Sequence, residues 1–334
     1  MNLKKREIAG RKVTAIGLGC MNLSHAYGRP PSREDGLKVL RKALDLGVDH
    51  FDTASLYGFG SNEELVGPAL KSVRKDIFLA SKCGMTGIDG KRVIDGRPDT
   101  LLKTLEDSLR RLQIDVIDLY YLHRWDKQVP IEESIGAMAR MVEAGKVRAI
   151  GLSEVSADTL MKAHSAHPIA AVQSEYSLWS RNAEIAVLEV CAKIGAAFVA
   201  FSPVARGFLT NVDLDPTGFS DKDIRRSMPR FQEPHFSKNS KLLAEYRALA
   251  SEAGCTPAQL ALAWLLQKAP HIVPIPGTTS LAHLEEDVGA LSVALSPDIA
   301  KRAETLINQS TVSGPRYPAA TQEEIDTEEF GAAA

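Results

Sequence analysis

The chain has 334 residues, 44% hydrophobic and 25% charged, a composition that excludes a disordered or fibrous protein and allows a sizeable buried core. Its formal net charge of -2 supplies no field to recruit nucleic acid or an anionic membrane. The cysteines, Cys20, Cys83, Cys191 and Cys255, form no C-x-x-C pair, Met1 to Lys12 lacks the apolar stretch of a signal peptide, and no window approaches the ~18 apolar residues of a membrane span; a cytoplasmic enzyme without a disulfide framework or structural metal is expected.

Residues 5–14 read as a short hairpin, with Ile8 and Val13 flanking the turn-compatible pair Ala9-Gly10. Strand-like apolar runs follow at 15–19, 48–51, 77–81, 116–122, 147–152, 169–173, 197–201 and 271–275. They alternate with helical patterns near 32–46, 61–71, 98–112, 131–144, 156–166, 182–194, 256–267 and 281–291. Pro98-Asp99, Ser156 and Thr256-Pro257 mark helix starts, while Gly47, Gly145 and Gly195 fall just past helix ends, where a left-handed residue is wanted.

Strict alternation demands right-handed crossovers and a parallel sheet, and eight repeats suggest closure, so the expected fold is α/β, a (β/α)8 TIM barrel. The rival, an open doubly wound sheet, usually carries a Gly-rich phosphate turn after its first strand; Gly17-Leu18-Gly19 has no third glycine and no helix begins there. One domain is expected over 1–334, with the barrel at about 15–293, a long insertion at 203–253 containing a helix near 239–253, and a C-terminal helix near 297–307 before a tail. That tail, with Glu323, Glu324, Asp326, Glu328 and Glu329 and no basic residue from Thr321 onward, reads as a solvated, partly mobile end.

A parallel barrel packs its interior with apolar side chains and keeps its chemistry at the C-terminal strand ends. The residues just after the runs are Asp52, Lys82, His123, Ser153 with Glu154, Gln173 with Ser174, Ser202, and Gly277-Thr278-Thr279. Singly, Asp52 could cap a turn, Lys82 could be a rim lysine and His123 a satisfied core histidine. Together with nearby Tyr57 they form an acid-base set that packing alone would have to produce four times over.

Asp52-Thr53-Ala54-Ser55-Leu56-Tyr57-Gly58 followed by Asn62-Glu63, then Ser81-Lys82 and Asp118-Leu119-Tyr120 through His123, resembles the aldo-keto reductase superfamily. Gly151-Leu152-Ser153-Glu154, Gln173, the segment from Phe201 to Thr210 and Ile275-Pro276-Gly277-Thr278-Thr279 are similar to its cofactor segments, in order from about Val13 to about Leu291. The likeness is strongest to a microbial branch with YakC-type and potassium-channel β-subunit-like members. The resemblance implies an NAD(P)H-dependent carbonyl reductase with a small-molecule aldehyde or ketone as substrate.

On that basis Tyr57 is the expected acid, with Lys82 lowering its pKa, Asp52 holding the amine and His123 donating to the carbonyl oxygen. The resemblance assigns the cofactor to Ser153, Gln173, Phe201, Ser202, Pro203, Arg206, Gly207, Leu209, Gly277, Thr278, Thr279, Ser280, His283, Glu286 and Asp287. Ser153 and Gln173 would grip the carboxamide, Phe201 would stack on the ring, and Arg206 would meet the pyrophosphate. Met21, Tyr27, Leu56 and Trp125 would wall the substrate mouth. Ser280 stands where related reductases commonly carry Arg, so NADPH is expected to be preferred less strongly than is usual, with NADH still accepted and Lys222, Arg225 or Arg226 folding over the phosphate. A nucleotide-sensing binding protein and a metal-dependent barrel hydrolase are the competing readings, the second weakened by the absence of an H-x-H pair and by Lys82, which would repel a cation.

Overall fold

The computed structural model describes residues 3–88 and 91–331. Strands β1 (Lys5–Ile8) and β2 (Arg11–Thr14) pair antiparallel around Ala9-Gly10, both at positive φ. Eight parallel strands follow: β3 (Leu18–Gly19), β4 (His50–Asp52), β5 (Phe78–Cys83), β8 (Ile117–Leu122), β9 (Val147–Ser153), β10 (Ile169–Glu175), β11 (Ala197–Phe201) and β12 (Ile272–Pro274). A second hairpin, β6 (Met85–Ile88) with β7 (Lys91–Ile94), lies between β5 and β8 and was not expected from the sequence.

The ladder runs from β3 to β12 in chain order apart from that hairpin, and the ring closes where the two ends meet. The amides of Gly17 and Gly19 donate to the carbonyls of Pro274 and Pro276 at 3.0 Å each. Prolines have no N–H to return, so the seam carries bonds in one direction only, and β3 is shorter than the expected run 15–19. Glycine is required at this seam: a Cβ at Gly19 would lie 2.9 Å from the Ile275 carbonyl oxygen.

The period-two pleat sorts each strand between two layers. Phe78, Ala80, Leu119, Tyr121, Ala171, Ala197, Val199, Val273 and Ile275 fill the barrel interior, and Ile8 and Val13 of the first hairpin plug its floor. Arg6 secures the plug by donating to the carbonyls of Leu266, Ala269 and Ile272. The alternate residues, among them Leu79, Tyr120, Leu122, Ile150, Leu152, Val172 and Phe198, face the surrounding helices. Carrying the inward set one step toward the C-terminal end replaces apolar residues with Lys82 after Ala80 and His123 after Tyr121, so the pleat itself delivers the polar rim.

The outer layer comprises α1 (Arg33–Asp45), α2 (Ser61–Leu70), α3 (Pro98–Leu112), α4 (Ile131–Glu143), α5 (Ala157–Ala166), α6 (Val187–Ile194), α7 (His235–Ser240), α8 (Leu243–Glu252), α9 (Pro257–Lys268), α10 (Leu281–Gly289), α11 (Pro297–Leu306) and α12 (Ala319–Gln322). Ser156 caps α5 by accepting from Thr159, and Thr256 with Gln259 forms a capping box on α9. The pattern at 182–194 splits into a 3-10 turn, Asn182–Glu184, and α6, and the helix expected near 239–253 divides between α7 and α8. No helix among the described residues is long and apolar enough to cross a membrane.

The largest departure from expectation is the tail, which is docked. Ile325 is buried; the Asp326 amide donates to the Glu154 carbonyl at 3.0 Å, and the Asp326 carboxylate accepts from the Ser156 amide at 3.1 Å and hydroxyl at 2.8 Å. Glu328 accepts from the Ala157 amide at 2.8 Å, and Glu324 pairs with Arg92. An acidic segment is held here because it meets a helix N-terminus and a basic hairpin.

Candidate active site

Asp52, Lys82 and His123 stand at the C-terminal ends of β4, β5 and β8, and Tyr57 reaches them from a 3-10 turn, Tyr57–Gly60, on the loop after β4. That turn requires its glycines, since Gly60 has φ 99° and a Cβ at Gly58 would lie 2.2 Å from Ser61 Oγ. It is anchored by the polar start of α2. Asn62 accepts from Thr53 Oγ1 at 2.6 Å and donates to the Cys20 carbonyl at 2.8 Å, while Glu63 accepts from Ser81 Oγ at 2.6 Å and from Arg111 at 2.7 Å.

The Lys82 ammonium is completely buried, and each of its N–H bonds has an acceptor: the Asp52 carboxylate, the Thr53 carbonyl at 2.9 Å and Tyr57 Oη at 3.1 Å. The other Asp52 oxygen accepts from Gln173 Nε2 at 2.8 Å, so β10 also braces the ion pair. Burial opposes the ammonium, but Asp52 and Tyr57 outweigh it and hold Lys82 above its usual pKa. For Tyr57 the balance differs from the sequence expectation: burial raises its pKa and prevails over the lowering pull of Lys82, so the phenol keeps its proton above the ordinary range. His123 packs edge-on against Tyr57, with ring centroids 5.7 Å apart. Burial first, then the charges of Lys82 and Arg124, push its pKa well down, leaving a neutral imidazole whose Nδ1 has no hydrogen-bond partner among the described residues.

A sequence profile described as the aldo/keto reductase family matches residues 15–308. The chain belongs to that family. It is 43% identical over 325 residues to a Schizosaccharomyces pombe protein named aldo-keto reductase yakc, NADP(+), covering 95% of both chains. Among solved structures it is similar to the glycerol dehydrogenase of Gluconobacter oxydans, with TM-score 0.83, 30% identity, and coverage of 96% of this chain and 99% of that one. It is also similar to a Bacillus halodurans aldo-keto reductase, with TM-score 0.76, 27% identity, and coverage of 92% and 97%.

In this aldo/keto reductase the expected cofactor residues occupy one side of the rim. Ser153 and Gln173 are register partners on β9 and β10. Phe201 is half-exposed at the end of an otherwise buried β11, with the Arg206 guanidinium carbon 6.0 Å from its ring centroid, and Ser202 beside it is also half-exposed. Pro203 is buried, and Gly207 turns the loop at φ 104°. Gly277 and Thr279 are exposed while Thr278 is buried. Ser280 caps α10 by accepting from the amide of the exposed His283 at 3.3 Å.

Several expectations need correction. Leu209 is fully buried in the core and its amide donates to the Val204 carbonyl at 3.2 Å, so its side chain packs and does not face the cleft. Arg206 is not an uncommitted cation: it pairs with Glu175 at 2.9 Å and donates to the hydroxyls of Tyr27 at 3.0 Å and Tyr317 at 3.1 Å. Arg225 and Arg226 are held by Asp223 at 2.7 Å and Asp221 at 2.9 Å within their own loop. Asp287, expected at the cofactor, is buried, and burial with the charge of half-exposed Glu286 pushes its pKa up to about 8.

Of the residues expected at the substrate mouth, Leu56 is buried beneath the Tyr57 turn and Met21 begins a half-exposed turn after β3. Tyr27 is tied to Arg206, and Trp125 donates to the Val129 carbonyl at 2.9 Å. The sequence reading missed Arg124, Glu175 and Arg316. Glu175 follows Gln173 by one strand period and Arg124 follows His123, so adjacency could have found both. Arg316 pairs with buried Glu154 at 2.6 Å from the far end of the chain and carried no local signal. Among the described residues no group of three or more His, Cys, Asp or Glu is placed to hold a metal ion.

Proposed function

We propose that this chain reduces aldehydes or ketones with NADPH, Tyr57 giving the proton. The observation that carries the reading is the saturation of Lys82: it donates to Tyr57 Oη, so the phenol's own hydrogen is left to point away from the lysine. A nicotinamide nucleotide fits the other side of the rim, where half-exposed Phe201 of β11 lies next to the polar end of β10 and, beyond it, that of β9. Ser153, Gln173 and Phe201 would hold its nicotinamide end, with the loop from Ser202 to Gly207 and the start of α10 toward its phosphates. The S. pombe relative carries NADP(+) in its name, which supports that cofactor.

Bound there, NADPH supplies the hydride that goes to the carbonyl carbon. Tyr57 transfers its proton to the carbonyl oxygen, completing the alcohol, and the phenolate left behind is stabilised by the Lys82 ammonium, itself held by Asp52. Neutral His123 orients the carbonyl through a ring N–H. The 203–253 excursion acts as a cover: the Ile224 amide donates to the Ala26 carbonyl at 2.9 Å and Arg225 to the Arg206 carbonyl at 3.3 Å, tying the loops after β3 and β11 together. With Ser280 in place of a cation, the NADPH preference is modest and NADH is accepted.

Tyr57→Phe tests this reading. Carbonyl reduction followed by loss of NADPH absorbance should fall about 10²–10⁴-fold, as for other positioned proton donors, while cofactor affinity by fluorescence titration is kept. Near-wild-type turnover would assign the proton to another group.

A further inference from the structure

Arg124 directly follows His123 and is only 8% exposed. Its Nη1 donates to the His123 carbonyl at 2.7 Å and to Ser153 Oγ at 3.3 Å, while its Nε is buried with no hydrogen-bond partner among the described residues. Both acceptors are neutral. The other buried cations of this rim have carboxylates: Lys82 has Asp52, Arg206 has Glu175 and Arg316 has Glu154. Arg92, whose charge also bears on His123, is paired with Glu324. Arg124 forms no ion pair with any described residue, and its charge acts on both Tyr57 and His123. A guanidinium cannot shed its proton to escape such a setting, so an unpaired one beside the reacting centre is matched to an anion that arrives with a ligand.

The position favours the substrate as that ligand. Arg124 lies on the loop after β8, which pairs with β9 and with β5, the strand that carries Lys82, whereas the diphosphate segments follow β11 and β12, further round the sheet. Trp125, the next residue, is half-buried against the core, so an apolar ring stands beside the fixed positive charge in the chain. We propose that Arg124 determines specificity at the carbonyl site and selects aldehydes or ketones that bear a carboxylate or phosphate group. This rests on the reductase reading above.

The test compares kcat/KM with NADPH for matched charged and neutral substrates: 4-carboxybenzaldehyde against methyl 4-formylbenzoate, and glyceraldehyde 3-phosphate against glyceraldehyde. The two pairs separate carboxylate from phosphate recognition. Wild type should favour the charged member of at least one pair by about tenfold or more, the worth of a charge-assisted hydrogen bond. Arg124→Gln should collapse that ratio to near one, mainly through KM, and Arg124→Lys should keep part of it, with NADPH affinity in both variants as in wild type. No discrimination by wild type, an equal loss for both members of each pair, or weakened NADPH binding in Arg124→Gln would overturn the proposal, the last by giving the guanidinium to the cofactor. If Arg124→Gln fails to fold, competitive inhibition of wild type by benzoate but not by benzamide upholds it, and its absence overturns it. Inactivity of wild type toward every carbonyl would remove the reductase reading and this inference together, whereas undiscriminating turnover would remove the inference alone.

Discussion

Replacing Arg316 with methionine probes how a terminal strap is built into the rim. Arg316 Nη2 lies 2.6 Å from Glu154 Oε2, with the two side chains 2% and 0% exposed, and its Nε lies 3.7 Å from Glu175. At an effective dielectric of about 20, unit charges at that separation attract by about 6 kcal/mol. Desolvation costs several kcal/mol for each ion, so the intact pair is near break-even against an apolar substitute. Removing one partner is different. Glu175 retains Arg206 at 2.9 Å, but Glu154 loses its only ion-pair partner among the described residues and stays buried. Arg316→Met should therefore cost about 3–5 kcal/mol, and Glu154→Gln combined with Arg316→Met should recover most of it. Urea unfolding of wild type, both single variants and the double variant gives the coupling directly. Digestion by a glutamate-specific protease reports the strap itself, because Glu323, Glu324, Glu328 and Glu329 all sit on it. A loss below about 1 kcal/mol in Arg316→Met, or additive single losses, would refute the claim that the Glu154 charge depends on the tail.

Two further variants address the chemistry and the cofactor. Tyr57 already titrates above a free phenol because burial prevails; Lys82→Met deletes the opposing pull and leaves Asp52 pushing the same way as burial, so the pKa rises further. In the proposed mechanism alcohol oxidation needs the phenolate, so its rate-versus-pH limb should move to more alkaline pH by about one unit or more, and coincident wild-type and mutant profiles would exclude the coupling. Ser280→Arg should tighten NADPH by about 1–2 kcal/mol, roughly tenfold, with little change for NADH. It also removes the α10 cap, at a cost of about 1 kcal/mol visible in thermal melts; equal tightening of both cofactors would show that position 280 does not face the phosphate.

The period-two and period-3.6 patterns identified the barrel and its order of elements, because each strand must bury one face inward and each helix one face onto the sheet. The same periodicity carried Asp52, Lys82 and His123 to one rim, and the short spacing to Tyr57 brought the phenol within reach. Arg124 and Glu175 were missed, although they sit one or two residues from positions already marked.

What local pattern could not supply was the balance of opposing terms and the contacts between distant segments. The direction of the Tyr57 pKa depended on how completely the ring is buried, a quantity set by the loops around it and not by the presence of Lys82. The tail has the composition of a solvated end, yet docks because Ser156, Ala157, Arg92 and Glu154 offer it partners from segments over a hundred residues away. Arg206 looked like a free cation for an anionic ligand until the fold placed Glu175 beside it, and Arg124 looked unremarkable until the fold left it without a carboxylate among the described residues. Charge type is written in the sequence; whether a charge is neutralised depends on which distant carboxylate the closed barrel brings within reach.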